Sequence, residues 1–386
     1  MKIKSIELLT LTRPKAEPKT KGRRPHYNTY AKRAYPIHKY AEFPRDIFST
    51  PGRSQKEVWV RITADDGTWG IANSKYAGLV APIISTYYTP LLVGRDALAI
   101  GFINDLMWRA SMRFGAQGPS ALARSVVDLA LWDLKGKLLK QPVYNLIGGK
   151  CRDEITCYVT TDDLDWAMEL GFKAFKISNP AHYSEGTAGI NAVVEKVAKA
   201  REQVGPDADL MINPVMSFNV ETAARLMTSL LPYRLRWFEE PLLPSDSSGL
   251  EQLKREVPTL PIATGEDHQG RQAFLDLVER RCADILQPDM NIVGGLSETI
   301  AVYRIGEAAG LPTIPHAGAH LPYGQHFAVA FPETPWAEYW MNSDPGIPLE
   351  ETDRIPGTPV PVNGKVVPSD APGFGIEYLE SDFAPL

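Results

Sequence analysis

Residues 237–242 read WFEEPL. Two aromatic residues open a run of strand length, two carboxylates follow, and a proline ends it. Proline cannot donate to a central ladder, so the strand must stop there. A strand with no polar residue before its last turn suits a parallel sheet covered by helices on both sides. One such run decides little, but seven more share its character. They are EITCYVT (154–160), AFKIS (174–178), LMINPVM (210–216), IATGED (262–267), ADILQPD (283–289), PTIPHA (312–317) and WAEYW (336–340). Their starts lie roughly 26 residues apart on average.

Helix-like segments fill most of the intervals, such as GINAVVEKVAKAREQV (189–204) and GGLSETIAVYRIGEAAG (294–310). Strand-then-helix units at this spacing predict an α/β fold with a parallel sheet, and eight of them predict a closed (β/α)8-type barrel. An open doubly wound sheet is the competitor. No glycine-rich phosphate loop follows the first strand to favour it.

Working outward, residues 118–149 predict a long amphipathic helix with Pro119 near its start. Residues 57–74 read as a hairpin about an Asp-Asp-Gly turn, and residues 1–12 alternate as a strand does. Residues 13–52 are rich in Pro, Lys, Arg, Tyr and His, and loops of that length are lids or disordered. The expected division is an α+β capping domain over 1–125 with its lid at 13–52, the barrel over 126–354, and a tail over 355–386 that packs back on the cap.

Composition narrows the function classes. The chain has 386 residues, 44% hydrophobic and 23% charged, with a net charge of -5. Bulk charge therefore argues against nucleic acid or an anionic membrane as partner. The basic stretch RPKAEPKTKGRRPHY (13–27) reads as a solvated, mobile loop. Three cysteines in no framework spacing suit a reducing compartment, and no apolar window reaches a membrane span. The expectation is a soluble cytoplasmic protein.

In such a barrel the site lies at the C-terminal ends of the strands. The second run ends in Lys176 and Ser178, the third carries Asn213, and the fourth carries Glu239 and Glu240. The fifth ends in Glu266, Asp267 and His268, the sixth in Asp289, the seventh in His316, and the eighth carries Glu338. Clustered acids repel and desolvate badly, so stability alone does not explain this ring. Two acids and an asparagine on neighbouring strands call for a hard divalent cation such as Mg2+, which takes oxygen ligands. Asp289 and His316 sit on adjacent strands, where the carboxylate can fix the imidazole tautomer and leave the other nitrogen as a general base. His320, four residues on, reads as structural.

With these residues in view, the chain resembles the enolase superfamily in its mandelate-racemase-like subgroup. WFEEPLLPSD, ATGEDHQGR, ADILQPDMNIVGG and IPHAGAH look like its successive barrel signatures, and ARSVVDLALWDLKGK like its entering helix. Within the subgroup, LMINPVMSFNVE, PHAGAH and WAEYW look most like acid-sugar dehydratases. The resemblance implies proton removal beside a carboxylate, with Mg2+ stabilising the enediolate. It implies Asn213, Glu239 and Glu266 as metal positions and His316 with Asp289 as the catalytic dyad. It implies Glu338, Lys176 and, in the lid, His38 and Arg53 as substrate contacts. It also implies a sugar-acid substrate, an L-rhamnonate-like aldonate, and a homo-oligomer.

Two positions depart from the pattern. Ser178 stands where racemases and cycloisomerases carry a second lysine base, which favours dehydration over racemisation. Asn213 stands where the pattern has aspartate, so one negative charge is missing. Three readings stay open there: a weaker but working Mg2+ site, a repurposed barrel, or adaptation to another substrate or metal. An epimerase or racemase remains the rival within the family.

Overall fold

The computed structural model describes residues 1–45 and 56–386. Its centre is a ring of short parallel strands. These are β4 (Ile155–Thr160), β5 (Ala174–Ser178), β6 (Asp209–Asn213), β7 (Phe238–Glu239), β8 (Ile262–Thr264) and β9 (Ile285–Leu286), paired in that order, with β10 (Ala337–Trp340) closing onto β4. The seventh expected run is pared down to a single parallel bridge, Thr313 to Leu286, with Ile314 N–H donating to Leu286 O at 2.8 Å. Pro312 and Pro315 flank it and lack the N–H groups that a longer ladder needs. Helices Gly186–Val204, Val220–Leu230, Ser247–Glu256, Arg271–Glu279 and Leu296–Ala309 follow their strands, as the alternating pattern requires.

One residue from each strand position packs into a single apolar layer across the ring. Tyr158, Ala174, Met211, Trp237, Ala263, Ile285 and Ile314 are buried together, with Trp336 against them. Trp237 meets Tyr158 edge-on at 5.3 Å between centroids and Trp336 at 5.9 Å. Strand side chains alternate, so the residues two further along face the same interior one pleat higher. Those residues are Thr160, Lys176, Asn213, Glu239, Gly265, Gln287, His316 and Glu338.

The cap is an antiparallel sheet of β1 (Ile3–Leu11), β2 (Val58–Ala64) and β3 (Trp69–Ser74). Between β2 and β3 the turn places Gly67 at φ 89°, the left-handed conformation that glycine adopts without cost. From the tail, β12 (Phe383–Pro385) pairs with β1, whereas β11 (Lys365–Val366) pairs with β4 of the barrel. The tail therefore ties both parts together.

The helix Pro119–Leu139 runs unbroken through the expected boundary at 125/126. It is also not amphipathic in the way its sequence suggests. Ser120, Arg124, Ser125, Asp128 and Asp133 are buried along with its apolar residues. The helix is sandwiched, so its polar face meets protein rather than water. Asp128 accepts from Asn104 and Ser297 N–H, and Asp133 from Ile71 and Phe374 N–H. On the other side β3 comes so close that a Cβ on Gly70 would stand 2.2 Å from Leu134 N.

The lid lies across the barrel mouth as far as it is described, with two short turns, Tyr27–Thr29 and Pro36–Lys39. Its basic stretch is not a free solvated loop. Arg23 pairs with Glu169 at 2.8 Å and Arg24 with Asp165 at 2.7 Å, while Tyr27 N–H donates to Asp163 at 2.6 Å. Acids just beyond β4 supply partners that the local sequence does not reveal. Ala34 N–H donates to Asn179 O at 2.9 Å, next to the end of β5. No described helix is long and apolar enough to cross a membrane.

Candidate active site

Lys176, Asn213, Glu239, Gln287, His316 and Glu338 are carried one pleat above the apolar layer, and Glu266 and Asp289 lie just beyond it on the same strand exits. Glu239 is the hub. Its Oε1 takes Nδ2 of Asn213 at 2.8 Å and the ammonium of Lys176, while its Oε2 takes Trp237 Nε1 at 2.8 Å and Gln287 Nε2 at 2.9 Å. Lys176 also bridges to Glu338 at 2.8 Å. Glu338 accepts from the Thr160 hydroxyl and, at 2.9 Å, from Ala317 N–H. Lys176, Glu239 and Glu338 are each at most 2% exposed.

On the other side of the ring, His316 Nδ1 lies 2.7 Å from Asp289, and its Nε2 lies 3.4 Å from Glu266 and 3.9 Å from Glu338. Asp289 also accepts from Asn291 N–H at 2.6 Å, which fixes the carboxylate. The dyad read from the sequence is therefore assembled, with the second imidazole nitrogen facing the acids of the mouth.

Burial opposes charge throughout, and the partners decide which groups keep it. Burial works against the Lys176 ammonium, but Glu239 and Glu338 outweigh it and hold its pKa well above the ordinary lysine value. Burial likewise works against His316, but Glu266, Glu338 and Asp289 raise it well above the imidazole range. Glu338 is held down to about 2, because Lys176 and His316 overcome its burial. Glu266 goes the other way, up to about 7, driven by burial with Asp267 adding to it. Glu240 lies well above the carboxylate range through burial and the neighbouring Glu266, Asp267 and Glu239.

These directions describe a mouth with surplus negative charge. Among the described residues, the cations that act on Glu239, Glu240, Glu266, Asp289 and Glu338 are Lys176 and His316. A hard divalent cation would neutralise that surplus, and the available donors are carboxylate and amide oxygens, which suit Mg2+. The residues fit such an ion in kind. Among the described residues, however, no three His, Cys, Asp or Glu side chains form a ready cage. The third position is Asn213, whose Oδ1 already accepts from Val215 N–H at 2.7 Å.

The remaining expected residues are placed as follows. His38 is buried in the lid, where its Nδ1 accepts from Tyr35 N–H at 2.8 Å and its Nε2 lies 3.0 Å from Pro44 O. Arg53 lies outside the described residues. Ser178 donates to Asp162 at 2.6 Å, and Lys196 from the following helix reaches its hydroxyl at 2.7 Å. His320 packs its ring against Tyr339 and Trp340, in line with a structural role. Sequence reasoning missed Gln287, Trp237 and Thr160, which hold the two central glutamates. Counting back two residues from Asp289, or from Glu239, would have found the first two on the inward face.

Two family models match the chain. Residues 161–382 match the enolase C-terminal domain-like model, and residues 35–148 match the mandelate racemase / muconate lactonizing enzyme N-terminal domain.

The chain belongs to the enolase superfamily.

Its mandelate racemase/muconate lactonizing branch includes relatives similar along the whole length. An L-rhamnonate dehydratase of Saccharopolyspora erythraea is 34% identical over 384 residues, 97% of this chain and 96% of that protein. The crystal structure of L-rhamnonate dehydratase from Gibberella zeae superimposes with a TM-score of 0.91 at 32% identity, covering 100% of this chain and 96% of that one. A second structure of the Gibberella zeae enzyme is complexed with Mg and matches equally well. The 3,6-anhydro-D-galactonate cycloisomerase from Zobellia galactanivorans is more distant, with a TM-score of 0.75 at 28% identity over 85% of this chain and 93% of that one. This member of the superfamily is an enzyme by descent, with the superfamily's barrel and cap.

Proposed function

We propose that the chain is a Mg2+-dependent hydro-lyase that dehydrates a sugar acid, an L-rhamnonate-like aldonate, to a 2-keto-3-deoxy acid. The observation that carries this reading is the placement of His316, braced by Asp289 at 2.7 Å and directed at the acid-rich mouth. Similarity to dehydratases over nearly the whole chain supports it. Glu239 and Glu266 would hold the ion, with Asn213 at the third position of the family pattern. The ion would supply positive charge for the substrate carboxylate, which becomes more electron-rich as its α-proton leaves.

The chain's own residues do the rest. A cation among the acids would offset the charge that raises His316, so that its neutral Nε2 takes the proton from C2 and then gives that proton to the hydroxyl leaving C3. Asp289 keeps the imidazole in the required tautomer and stabilises its charged form. Glu338, held in place by Lys176 and Ala317 N–H, faces the substrate carboxylate, and a proton shared between the two carboxyl groups would make the hydrogen bond between them. The lid, pinned to Asp163 and Asn179, excludes water and meets the hydroxyl-bearing end, with His38 and Arg53 as its substrate contacts. The cap–barrel–tail division and a homo-oligomeric state belong to the same proposal.

Racemisation would need a second base opposite His316. Position 178 is serine, and the amine that reaches it, Lys196, is already bridged to Asp162 at 2.8 Å. The test is a 2-oxo-acid assay across L-rhamnonate, L-lyxonate, L-mannonate and galactonate with Mg2+ present. Turnover of one of them supports the proposal, and silence across the panel sinks it.

A further inference from the structure

Asp163 stands immediately before the helix Leu164–Glu169, where an aspartate ordinarily accepts from the first N–H groups of its own helix. Its side chain makes no such bond. Both oxygens are turned to the lid instead. Oδ2 accepts from Tyr27 N–H at 2.6 Å, and Oδ1 accepts from the Tyr30 hydroxyl at 2.5 Å and from Arg24 Nη2 at 3.0 Å. The carboxylate is wholly buried, so water does not replace these donors while the lid is down. A cap for one helix has been given up for a grip on the lid.

Weaker ties surround this one. Arg24 also holds Asp165 with two bonds, at 2.7 and 2.9 Å, and Arg23 holds Glu169 at 2.8 and 3.0 Å. All four of those side chains are exposed, and exposed pairs contribute little and are screened by salt. The grip matters because of what it presses down. The Tyr27 hydroxyl donates to Thr160 O at 3.2 Å and accepts from Trp340 Nε1 at 2.8 Å, and the Thr160 side chain bonds Glu338. The lid thus rests on the exits of β4 and β10, beside the acid proposed to meet the substrate. With the lid in place Lys176, Glu239 and Glu338 are no more than 2% exposed, so a sugar acid must displace it to reach them.

We propose that Asp163 is a positioning residue that latches the lid, and that substrate enters and product leaves only when Tyr27, Tyr30 and Arg24 let go of it. The outer arginine pairs make that release sensitive to salt. This deepens the dehydratase reading above, but release can be measured with no substrate present.

Hydrogen–deuterium exchange of the substrate-free full chain is followed by mass spectrometry in residues 20–35 of the lid and in β6 of the barrel. Asp163→Asn should speed exchange in 20–35 by about tenfold or more and leave β6 unchanged. Tyr30→Phe removes one donor from an exposed ring and should act in the same direction by less, without touching the core. Raising NaCl from about 0.05 to 0.5 M should speed lid exchange severalfold in wild type and not in the double variant Arg23→Gln, Arg24→Gln. On an accepted sugar acid, KM should rise further than kcat falls in Asp163→Asn. Lid exchange that neither Asp163→Asn nor Tyr30→Phe speeds overturns the latch. Equal acceleration in the lid and β6 overturns it too, because Asp163 would then serve the fold at large. The expected exchange pattern together with silence across the sugar-acid panel would sustain the latch and sink the dehydratase reading.

Discussion

Two layers of the barrel interior lie one pleat apart and differ in almost every property. The lower layer runs Tyr158, Ala174, Met211, Trp237, Ala263, Ile285, Ile314 and Trp336, and it is apolar throughout. The upper layer runs Thr160, Lys176, Asn213, Glu239, Gly265, Gln287, His316 and Glu338, and it holds most of the charge at the centre of the molecule. The same strands build both. The lower layer has few ways to be wrong, since any set of apolar side chains of the right volume closes it. The upper layer is specific, since each buried charge needs its own partner. Fold and activity should therefore fail separately when each layer is changed.

The largest expected effect is on the upper layer. His316→Asn should lower kcat by roughly 10²- to 10⁴-fold, the usual contribution of a general base. With Mg2+ saturating, the unfolding midpoint should fall less than in a lower-layer truncation, because the asparagine amide can still donate toward Asp289 while the cation offsets the other acids. Paired measurement of kcat and thermal melting checks this, and a large drop in stability would erase the contrast between the layers.

The lower layer should respond in the opposite sense. Ile314→Ala removes buried methyl groups and should cost about 2–5 kcal/mol of stability. Its kcat on any accepted sugar acid should fall by far less than that of His316→Asn. Urea unfolding with parallel kinetics separates the two, and an equal loss of both quantities would mean that the plug and the site are one unit.

Acid should probe histidines outside both layers. Burial pushes His320 down to about 4 and His326 down to about 3. The folded chain keeps these rings neutral, whereas the unfolded chain protonates them below about pH 6.5. Their contribution to stability is therefore present above pH 6.5 and is lost as pH falls toward 4 and 3. Each ring should add about 1.4 kcal/mol per pH unit to the slope in that window. Chemical denaturation from pH 7 to pH 5 should show a shallower decline in His326→Phe than in wild type.

The smallest effect should come from the surface. Arg109 pairs with Asp105 at 2.7 Å one helical turn away, and both side chains are more than half exposed. Arg109→Ala should change stability by no more than about 0.5 kcal/mol and leave kcat alone. A larger change would show that the cap couples to the site through its outer helices.

The two layers were not equally legible. Periodicity exposed the strand-and-helix rhythm because burial on both faces leaves its mark residue by residue. The charged strand ends stood out because acids next to prolines at strand exits are hard to explain by stability. Partnerships between distant residues left no such mark. Nothing in AFKIS reveals that Lys196 reaches back to Ser178, and nothing in WFEEPL reveals that Gln287 holds Glu239 while Glu240 finds no hydrogen-bond partner among the described residues. The Pro119–Leu139 helix reads as amphipathic because its polar residues find protein partners on both sides. The seventh strand shrank to one bridge because its prolines remove donors, a constraint visible in PTIPHA but easily outweighed by its apolar run.

The central claim is that this mouth removes the proton at C2 of a sugar acid and expels the hydroxyl at C3. Proton NMR of the best-accepted acid sugar in D2O with Mg2+ addresses it directly. The account predicts that the C2 hydrogen disappears at the rate at which 2-oxo product forms, that the product carries one deuterium at C3, and that His316→Asn abolishes both. A C2 hydrogen that exchanges with solvent while no 2-oxo product forms would contradict the account and make the chain an epimerase or racemase of its superfamily.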